Sequence, residues 1–368
     1  MSLKNIYFIF LLVTVICSPA MAEISLMVWQ RDESSQRIVL PRKANETPAQ
    51  AFERYYYYLG LDSELGPQVS EREKLLPFGL LTDLSMLSNS NKLKTALIAN
   101  MLIDLYPNTK RIKRNVERFG LAGGEVFVIA PAADIGLTKQ EAAEFRILIA
   151  EQFSLLVSLG GYDLHSKITS FNTSPISEMS RESSLAIDQS EIALVSTYKD
   201  FAHGVFMGIC RGHEVGALVD GHDLISDISE RAVGATSEHM IPTGQSAVDM
   251  ITWHPVDVKQ SLLARLFKGL QFPRVLSAHH MSVDVKPDKE SFEVASYKGV
   301  NEALQSNNGL SLSLQFHIEM PVEISQDEKY SRNGFLFLKR MISYARLVRQ
   351  MNSQKMGEAN SCRVLFMR

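Results

Sequence analysis

Cysteine is scarce in this sequence, with 3 among 368 residues, and one of the three lies in the hydrophobic N-terminal stretch. Exported domains that depend on disulfides for stability carry several cysteine pairs. The other two cysteines, Cys210 and Cys362, exclude a disulfide framework and leave room for at most one bridge. Such a bridge would block any chemistry at the Cys210 thiol.

A strong charge of either sign is also missing. The chain has 38 Lys and Arg residues against 41 Asp and Glu residues, for a formal net charge of -3. This balance predicts no nucleic-acid partner, because such proteins carry a large basic surface. We interpret the one basic run, Lys110–Arg114, as the solvated face of a helix. After residue 22, no hydrophobic run approaches the length that a membrane span needs.

The first 22 residues have the order of a secretory signal peptide. A lysine precedes the apolar run IYFIFLLVTVI, and the small-x-small sequence Ala20–Ala22 predicts cleavage before Glu23. A lipoprotein signal at Cys17 is a weaker alternative, because the isoleucine before it fits that signal poorly. We therefore expect a periplasmic or secreted protein that has no membrane segment once residues 1–22 are removed.

Strands and helices alternate along the remaining chain, which predicts an α/β fold with a mostly parallel sheet. Thr138 and Glu141 form a capping box that opens a helix over residues 139–152. The apolar spacing of residues 91–106, NKLKTALIANMLIDLY, predicts another helix. Residues 66–81 have no clear period and are interpreted as an insertion.

Short strands dominate the last third, before a closing helix over residues 334–350. No linker is visible between these parts. We therefore predict one domain over residues 23–350 and a polar C-terminal tail over residues 351–368.

The candidate nucleophile is Cys210, in the segment Gly208-Ile209-Cys210-Arg211-Gly212, where the sequence predicts that an apolar strand ends and a helix begins. A nucleophile on such a sharp turn needs small residues two positions before and after it. The following helix directs its N-terminus at the sulfur, which favours the thiolate. The alternative is a buried, inert cysteine between packing glycines.

A thiol nucleophile needs a base, and a base needs an orienting group. All nine histidines lie between His165 and His317, and His317 is followed two positions later by Glu319. This pair is the best candidate, although an ordinary loop histidine is the alternative. His213-Glu214 begins like a zinc-protease motif that then fails at Ala217, and His279-His280 is too short for a metal site by itself. We therefore predict no metal and no cofactor.

Five segments together resemble the class I glutamine amidotransferase-like hydrolases, in their gamma-glutamyl-gamma-aminobutyrate hydrolase and gamma-glutamyl hydrolase branch. They are LAGGEVFVIAP, VSLGGYDL, VFMGICRGHEVGALVDGHDLISDI, VLSAHHMSV and SLQFHIE, in the order of the family. The chain departs from the family pattern at positions that we interpret as pocket walls: Tyr162, Gly221-His222, Met281, Lys298-Gly299 and Ile318.

The resemblance implies a flavodoxin-like three-layer sandwich, with a mostly parallel central sheet flanked by helices. It implies a cysteine hydrolase acting on a small gamma-glutamyl substrate, with Cys210 as nucleophile, His317 as base and Glu319 as orienting group. The residues expected at the oxyanion or substrate are Gly160, Gly161, Arg211, His279 and His280. A homodimer is compatible with the sequence, as is a non-catalytic relative that binds a peptide or protein partner.

Overall fold

The computed structural model describes residues 24–31, 36–65, 79–87, 92–102, 109–169, 183–228, 238–240 and 251–366. The predicted signal peptide lies outside these residues, as do most of the predicted insertion and the serine-rich stretch before residue 183. Within the described ranges, no helix combines the length and apolar character needed to cross a membrane.

The described strands are β1 Ile24–Arg31, β2 Arg37–Lys43, β3 Gly79–Asp83, β4 Leu93–Ile98, β5 Gly124–Ile129, β6 Leu155–Ser158, β7 Val205–Ile209, β8 Asp223–Ile225, β9 Thr252–His254, β10 Asp257–Val258, β11 Val275–Ser277, β12 Ser282–Asp284, β13 Ser291–Tyr297, β14 Val300–Ser306 and β15 Ser311–Leu314. The helices are α1 Pro48–Leu61, α2 Lys110–Leu121, α3 Lys139–Gln152, α4 Ser166–Thr169, α5 Leu185–Phe201, α6 Arg211–Val219, α7 Leu262–Phe267, α8 Val322–Ser325 and α9 Glu328–Phe366, with a 3-10 turn at Leu84–Leu87.

One large sheet runs through the molecule in the order β10-β13-β14-β15-β7-β6-β4-β5-β2-β1-β3. Its six central strands, from β15 to β2, are parallel to their neighbours. Antiparallel strands extend both edges. Two further antiparallel pairs, β11-β9 and β12-β8, stand apart from this sheet. The predicted mostly parallel centre is confirmed, and the edges make the complete sheet mixed.

Helices cover both faces of the sheet, which gives the predicted three layers. Apolar side chains of α1, α3, α5 and α6 pack into one core, and those of α2, α7 and α9 pack into the other. The capping box of α3 forms as predicted: the Glu141 amide donates to Thr138 Oγ1 at 3.2 Å, and the Thr138 amide donates to Glu141 Oε2 at 2.7 Å. These two bonds satisfy donors that a helix start otherwise leaves unpaired.

The helix predicted over residues 91–106 is wrong. Residues Leu93–Ile98 form the central strand β4, which pairs in parallel with both β5 and β6. A strand covered on both faces is almost continuously apolar, so its sequence lacks the alternation that distinguishes strands from helices.

The boundary predicted at residue 350 does not interrupt the structure. Helix α9 continues from Glu328 to Phe366, through most of the predicted tail. Asn352, just past that boundary, donates from its side-chain amide to the His203 carbonyl at 3.1 Å.

Candidate active site

Cys210 occupies the turn between β7 and α6. Its backbone has φ 53° and ψ -113°, a conformation that residues with side chains rarely adopt. The Cys210 amide donates to the Leu314 carbonyl at 2.7 Å, and its own carbonyl accepts from the His213 amide at 2.8 Å. The thiol is free and the residue is buried. This strained turn presents one sulfur at the carboxyl end of the parallel sheet, where α/β proteins place their ligands.

The flanking glycines are required by close backbone approach. A methyl group at Gly208 would lie 2.4 Å from the Gly212 carbonyl oxygen. A methyl group at Gly212 would lie 2.2 Å from the Ser158 carbonyl oxygen. Neither contact is tolerable, so the helix can start this close to β6 and β7 only with glycine at both positions.

His317 follows β15, the parallel neighbour of β7, and its ring is held from one side by Glu319. His317 Nδ1 lies 2.8 Å from Glu319 Oε1, and both residues are buried. The backbone is fixed as well: the His317 amide donates to the Leu276 carbonyl, and the His317 carbonyl accepts from the Tyr330 hydroxyl, each at 2.8 Å. The His317 backbone and the Nδ1 side of its imidazole are therefore both fixed.

The other side of the His317 ring meets Cys210. Burial lowers the pKa of His317, but Glu319 and Cys210, which are both hydrogen-bonded to the ring, raise that pKa well above its usual value. The carboxylate at Nδ1 and the sulfur thus both favour the imidazolium form. The structure brings together the three side chains that the sequence analysis assigned to the chemistry.

The loop after β6 closes over the Cys210–His317 contact. A methyl group at Gly160 would lie 2.9 Å from His317 Cε1 and 3.3 Å from Cys210 Cβ. The Gly160 carbonyl accepts from Arg111 and, at 3.4 Å, from the side-chain amide of Asn100. Because C=O and N–H point in opposite directions across a trans peptide, the Gly161 amide points away from Asn100 and Arg111.

The side chain of Arg211 is buried and paired with two carboxylates. Only 1% of it is exposed; it contacts Asp188 Oδ1 at 2.5 Å and also pairs with Glu191. Both carboxylates lie on α5, so the guanidinium fastens α6 to α5. The expectation of a substrate role for Arg211 came from the family resemblance, which shows neither carboxylate partner. The Arg211 amide, at the start of α6, has no partner within its helix and faces the turn at Cys210.

The adjacent histidines His279 and His280 have different surroundings. His280 Nε2 lies 3.1 Å from Asp163 Oδ2, on the loop that begins at Gly160. Burial lowers the pKa of His280, yet Asp163 raises it above its usual value overall. His279 instead lies among buried polar groups: its Nδ1 contacts the Met281 carbonyl at 2.8 Å, and its Nε2 faces Glu302. His280 is therefore beside the loop that begins at Gly160, and His279 is part of another cluster.

Three residues near the site carried no functional prediction. Asn100 and Arg111 hold the Gly160 carbonyl, and they come from segments interpreted as helix interior and solvated helix face. Glu214, on the first turn of α6, accepts from the Gln315 side chain at 3.0 Å. Burial and the nearby Asp163 raise the pKa of Glu214 to about 7. Glu214 is four residues after Cys210 and so on the same helix face, and this spacing could have indicated from the sequence that it lies near the site.

The departures from the family pattern are not all pocket walls. Lys298-Gly299 forms the tight turn between β13 and β14, with positive φ at both residues, and Lys298 pairs with Glu238 at the surface. His222 lies after α6, and its ring contacts Ser291 Oγ at 3.1 Å. Both positions therefore serve the local structure.

The sequence profile described as peptidase C26 matches residues 113–319, which is more than half of the chain and includes Cys210, His317 and Glu319. The chain belongs to the peptidase C26 family. The resemblance to the class I glutamine amidotransferase-like superfamily is thereby confirmed, and the protein is a hydrolase-type member of it. No curated protein sequence shows a significant match to the chain.

Several solved structures are similar to part of the chain at low sequence identity. A protein described as a putative GMP synthase component from Thermoplasma acidophilum is 17% identical, with a TM-score of 0.45 over 71% of this chain and 100% of that one. A glutamine amidotransferase from Thermotoga maritima is 16% identical, with a TM-score of 0.39 over 71% and 95%. The glutaminase domain of Trypanosoma brucei CTPS, with bound acivicin, is 12% identical, with a TM-score of 0.40 over 67% and 93%.

Proposed function

We propose that this peptidase C26 protein is a cysteine hydrolase that cleaves gamma-glutamyl amide bonds through a thioester at Cys210. The observation that carries the proposal is the placement of Cys210. It lies at positive φ between β7 and α6, hydrogen-bonded to an imidazole that is itself bonded to Glu319. A buried cysteine with only a packing role has no need of a strained backbone or of a histidine–carboxylate pair.

The reaction begins when His317 takes the thiol proton and the sulfur attacks the gamma-carbonyl carbon. The carbonyl electrons move to the oxygen, and the oxyanion accepts hydrogen bonds from the Arg211 amide and from Gly160 or Gly161. Collapse of this intermediate breaks the C–N bond, and the amine leaves with the proton from His317. A thioester between Cys210 and the gamma-carboxyl carbon remains.

Water completes the cycle by the same route. His317 removes a proton from water, the hydroxide attacks the thioester carbon, and the second oxyanion occupies the same pair of amides. Expulsion of the sulfur releases glutamate, and the proton on His317 returns to the thiolate. Glu319 keeps its bond to Nδ1 in both halves, so Nε2 is available for each proton transfer.

The Asp163–His280 pair supports a gamma-glutamyl substrate. The free end of such a substrate carries an ammonium group and a carboxylate on one carbon. Asp163 is partly exposed and offers a negative charge, while His280, with its raised pKa, offers a positive charge 3.1 Å away. Both lie on segments adjoining the oxyanion loop. A zwitterionic head group therefore has a complementary charge for each of its own charges.

The proposal includes export and removal of residues 1–22, because the N-terminal sequence has the order of a signal peptide. N-terminal sequencing of the protein recovered from its natural compartment is expected to begin at or near Glu23. A mature protein that retains Met1 in the cytosol would contradict this placement.

Incubation of the mature protein with a panel of gamma-glutamyl amides tests the activity, with glutamate release as the readout. A parallel reaction with an electrophilic glutamine analogue, followed by mass spectrometry, tests whether Cys210 forms an adduct. We expect turnover and adduct formation in the wild type, loss of both in Cys210→Ala, and retention of both in the matched control Cys362→Ala. Neither turnover nor an adduct in the wild type would contradict the proposal and favour a relative that binds a peptide or protein partner.

A further inference from the structure

Four buried side chains from separate parts of the chain converge outside the Cys210 site. They are His239, His254 at the end of β9, His279 after β11, and Glu302 on β14. No more than 2% of any of these side chains is exposed. One ligand-type atom from each lies within 4.8 Å of the other three. We call this group the histidine cluster.

Two of the histidines have a defined tautomer. His254 Nδ1 lies 2.9 Å from the Pro255 carbonyl oxygen, and His279 Nδ1 lies 2.8 Å from the Met281 carbonyl oxygen. A carbonyl oxygen only accepts hydrogen bonds, so the ring proton is on Nδ1 in both residues. In its neutral form each ring therefore presents an unprotonated Nε2 to the centre of the cluster.

The atoms that face the centre of the histidine cluster are therefore mostly hydrogen-bond acceptors, with few donors among them. His254 Nε2 and His279 Nε2 each lie 3.6 Å from Glu302 Oε1. Within the described residues, neither of these nitrogens and neither oxygen of Glu302 has a well-aligned hydrogen-bond partner, although His239 Nε2 lies 3.0 Å from Glu302 Oε1. Buried polar atoms without partners are costly, and three acceptors directed at one point repel each other. A cation at that point would satisfy all of them.

The geometry points to a structural zinc site formed by His239, His254, His279 and Glu302. In tetrahedral zinc sites, bonds of about 2.0–2.1 Å place the ligand atoms about 3.3 Å apart. The three Nε2 atoms lie 3.0, 3.6 and 3.6 Å from Glu302 Oε1. Imidazole ligands favour zinc over magnesium or calcium, and backbone carbonyls bonded to the second ring nitrogens are typical of zinc-binding histidines.

Four protein ligands and complete burial leave no open position for substrate, so the metal would be structural. It would join the segment 238–240, β9, the segment after β11, and β14. That third segment carries His280, which meets Asp163, and it follows Leu276, whose carbonyl holds the His317 amide. Zinc would thus stabilise the wall of the Cys210 site without taking part in its chemistry. The inference is independent of the proposed thioester reaction.

Metal content of the full chain, purified without chelators and then dialysed against Zn²⁺, is the first measurement. We expect about one tightly held zinc ion per chain by elemental analysis. Replacement by Co²⁺ should give the intense visible absorption of a four-coordinate site. A strong chelator should remove the metal and lower the melting temperature of the wild type, and returning Zn²⁺ should restore it. These wild-type measurements do not depend on how well any variant folds.

Glu302→Gln and His254→Asn assign the metal to this cluster. Both should lose stoichiometric zinc and the response to chelator. His222→Asn is the matched control, a buried histidine outside the cluster, and should keep both. A wild-type chain that holds no zinc and shows no thermal shift with Zn²⁺ would overturn the inference, leaving a buried His239–Glu302 ion pair. Zinc retained equally by the wild type and both cluster variants would also overturn it, because the metal would then lie elsewhere.

Discussion

Two regions of this molecule surround buried histidine with a buried glutamate, and the consequences for the imidazole are opposite. At the Cys210 site, one carboxylate and one sulfur flank a single ring, and together they raise the pKa of His317 well above its usual value. In the histidine cluster, one carboxylate is shared among three rings, and burial lowers the pKa of His254 and His279. The ratio of acids to imidazoles, more than burial itself, separates a proton carrier from a set of metal ligands.

The two sites also differ in the group that contacts Nδ1 of each histidine ring. His317 Nδ1 faces a carboxylate, which stabilises positive charge on the ring. His254 Nδ1 and His279 Nδ1 face backbone carbonyls, which fix a tautomer without adding charge. The first arrangement favours a ring that gains and loses a proton repeatedly. The second favours a ring whose Nε2 stays unprotonated and can bind a metal ion. The predictions for His317 and Glu319 test the Cys210 side of this contrast, and those for Glu214 and Gly160 test residues beside it.

Removal of the proton carrier should have the largest effect. His317→Ala is expected to lower kcat/KM for gamma-glutamyl amides by about 10⁴-fold or more, because the thiol loses its base. The double variant with Cys210→Ala should be little worse than either single variant, since the two act as one unit. His203→Ala, which removes a partly exposed histidine before the opposite end of β7 from Cys210, is the control and should retain activity. Independent, additive losses would contradict the coupling.

Neutralising the orienting carboxylate should be milder. Glu319→Gln keeps the shape of the side chain but removes the charge that favours imidazolium, so we expect a loss in kcat of about 10²–10⁴-fold. The effect should fall mainly on kcat, because Glu319 contacts the base and not the substrate. A change confined to KM, measured on the same substrate panel, would show that Glu319 has a different role.

Glu214 should make the stability of the protein depend on pH. Its pKa is raised from 4.5 to about 7 by burial and by Asp163, so the folded state holds a proton that the unfolded state releases. The free energy of unfolding should therefore decline as pH rises from about 4.5 to about 7, by about 3 kcal/mol. Denaturant unfolding of Glu214→Gln across this range should lack that decline. An unchanged slope in the variant would show that another group is responsible.

Adding a methyl group at Gly160, against both His317 and Cys210, should have a smaller effect. In Gly160→Ala, the new methyl group would lie 2.9 Å from His317 Cε1 and 3.3 Å from Cys210 Cβ, so one of the two must shift. We expect kcat to fall about 10–100-fold while the fold is retained. Gly120→Ala is the control, because a methyl group there meets nothing within 4 Å. Equal kinetics in the two variants would mean that Gly160 does not limit the geometry.

Local sequence patterns predicted the features whose structural constraint is met by residues nearby in the sequence. The capping box at Thr138 and Glu141, and the glycines on both sides of Cys210, are visible because the constraint and the residue that meets it are close in sequence. Strand β4 was mistaken for a helix because a strand buried on both faces has no periodicity of its own.

Contacts between distant segments could not be predicted in the same way. The pairing of Arg211 with Asp188 and Glu191 on α5 depends on how two helices pack, and it removes the arginine side chain from the substrate side. The histidine cluster draws on four segments between residues 239 and 302, so His279-His280 seen alone gave no reason to expect a metal. Such sets become visible only when the fold brings their members together.

An NMR pH titration of the His317 ring in the mature protein tests most directly whether Cys210, His317 and Glu319 act together. We expect His317 to keep its second proton to a pH well above 6.5, because Glu319 and Cys210 outweigh burial in favouring the imidazolium form. Cys210→Ala and Glu319→Gln should each lower that pKa. If His317 titrates at or below its usual pKa in the wild type, and neither substitution moves it, then Cys210, His317 and Glu319 do not form one acid–base unit.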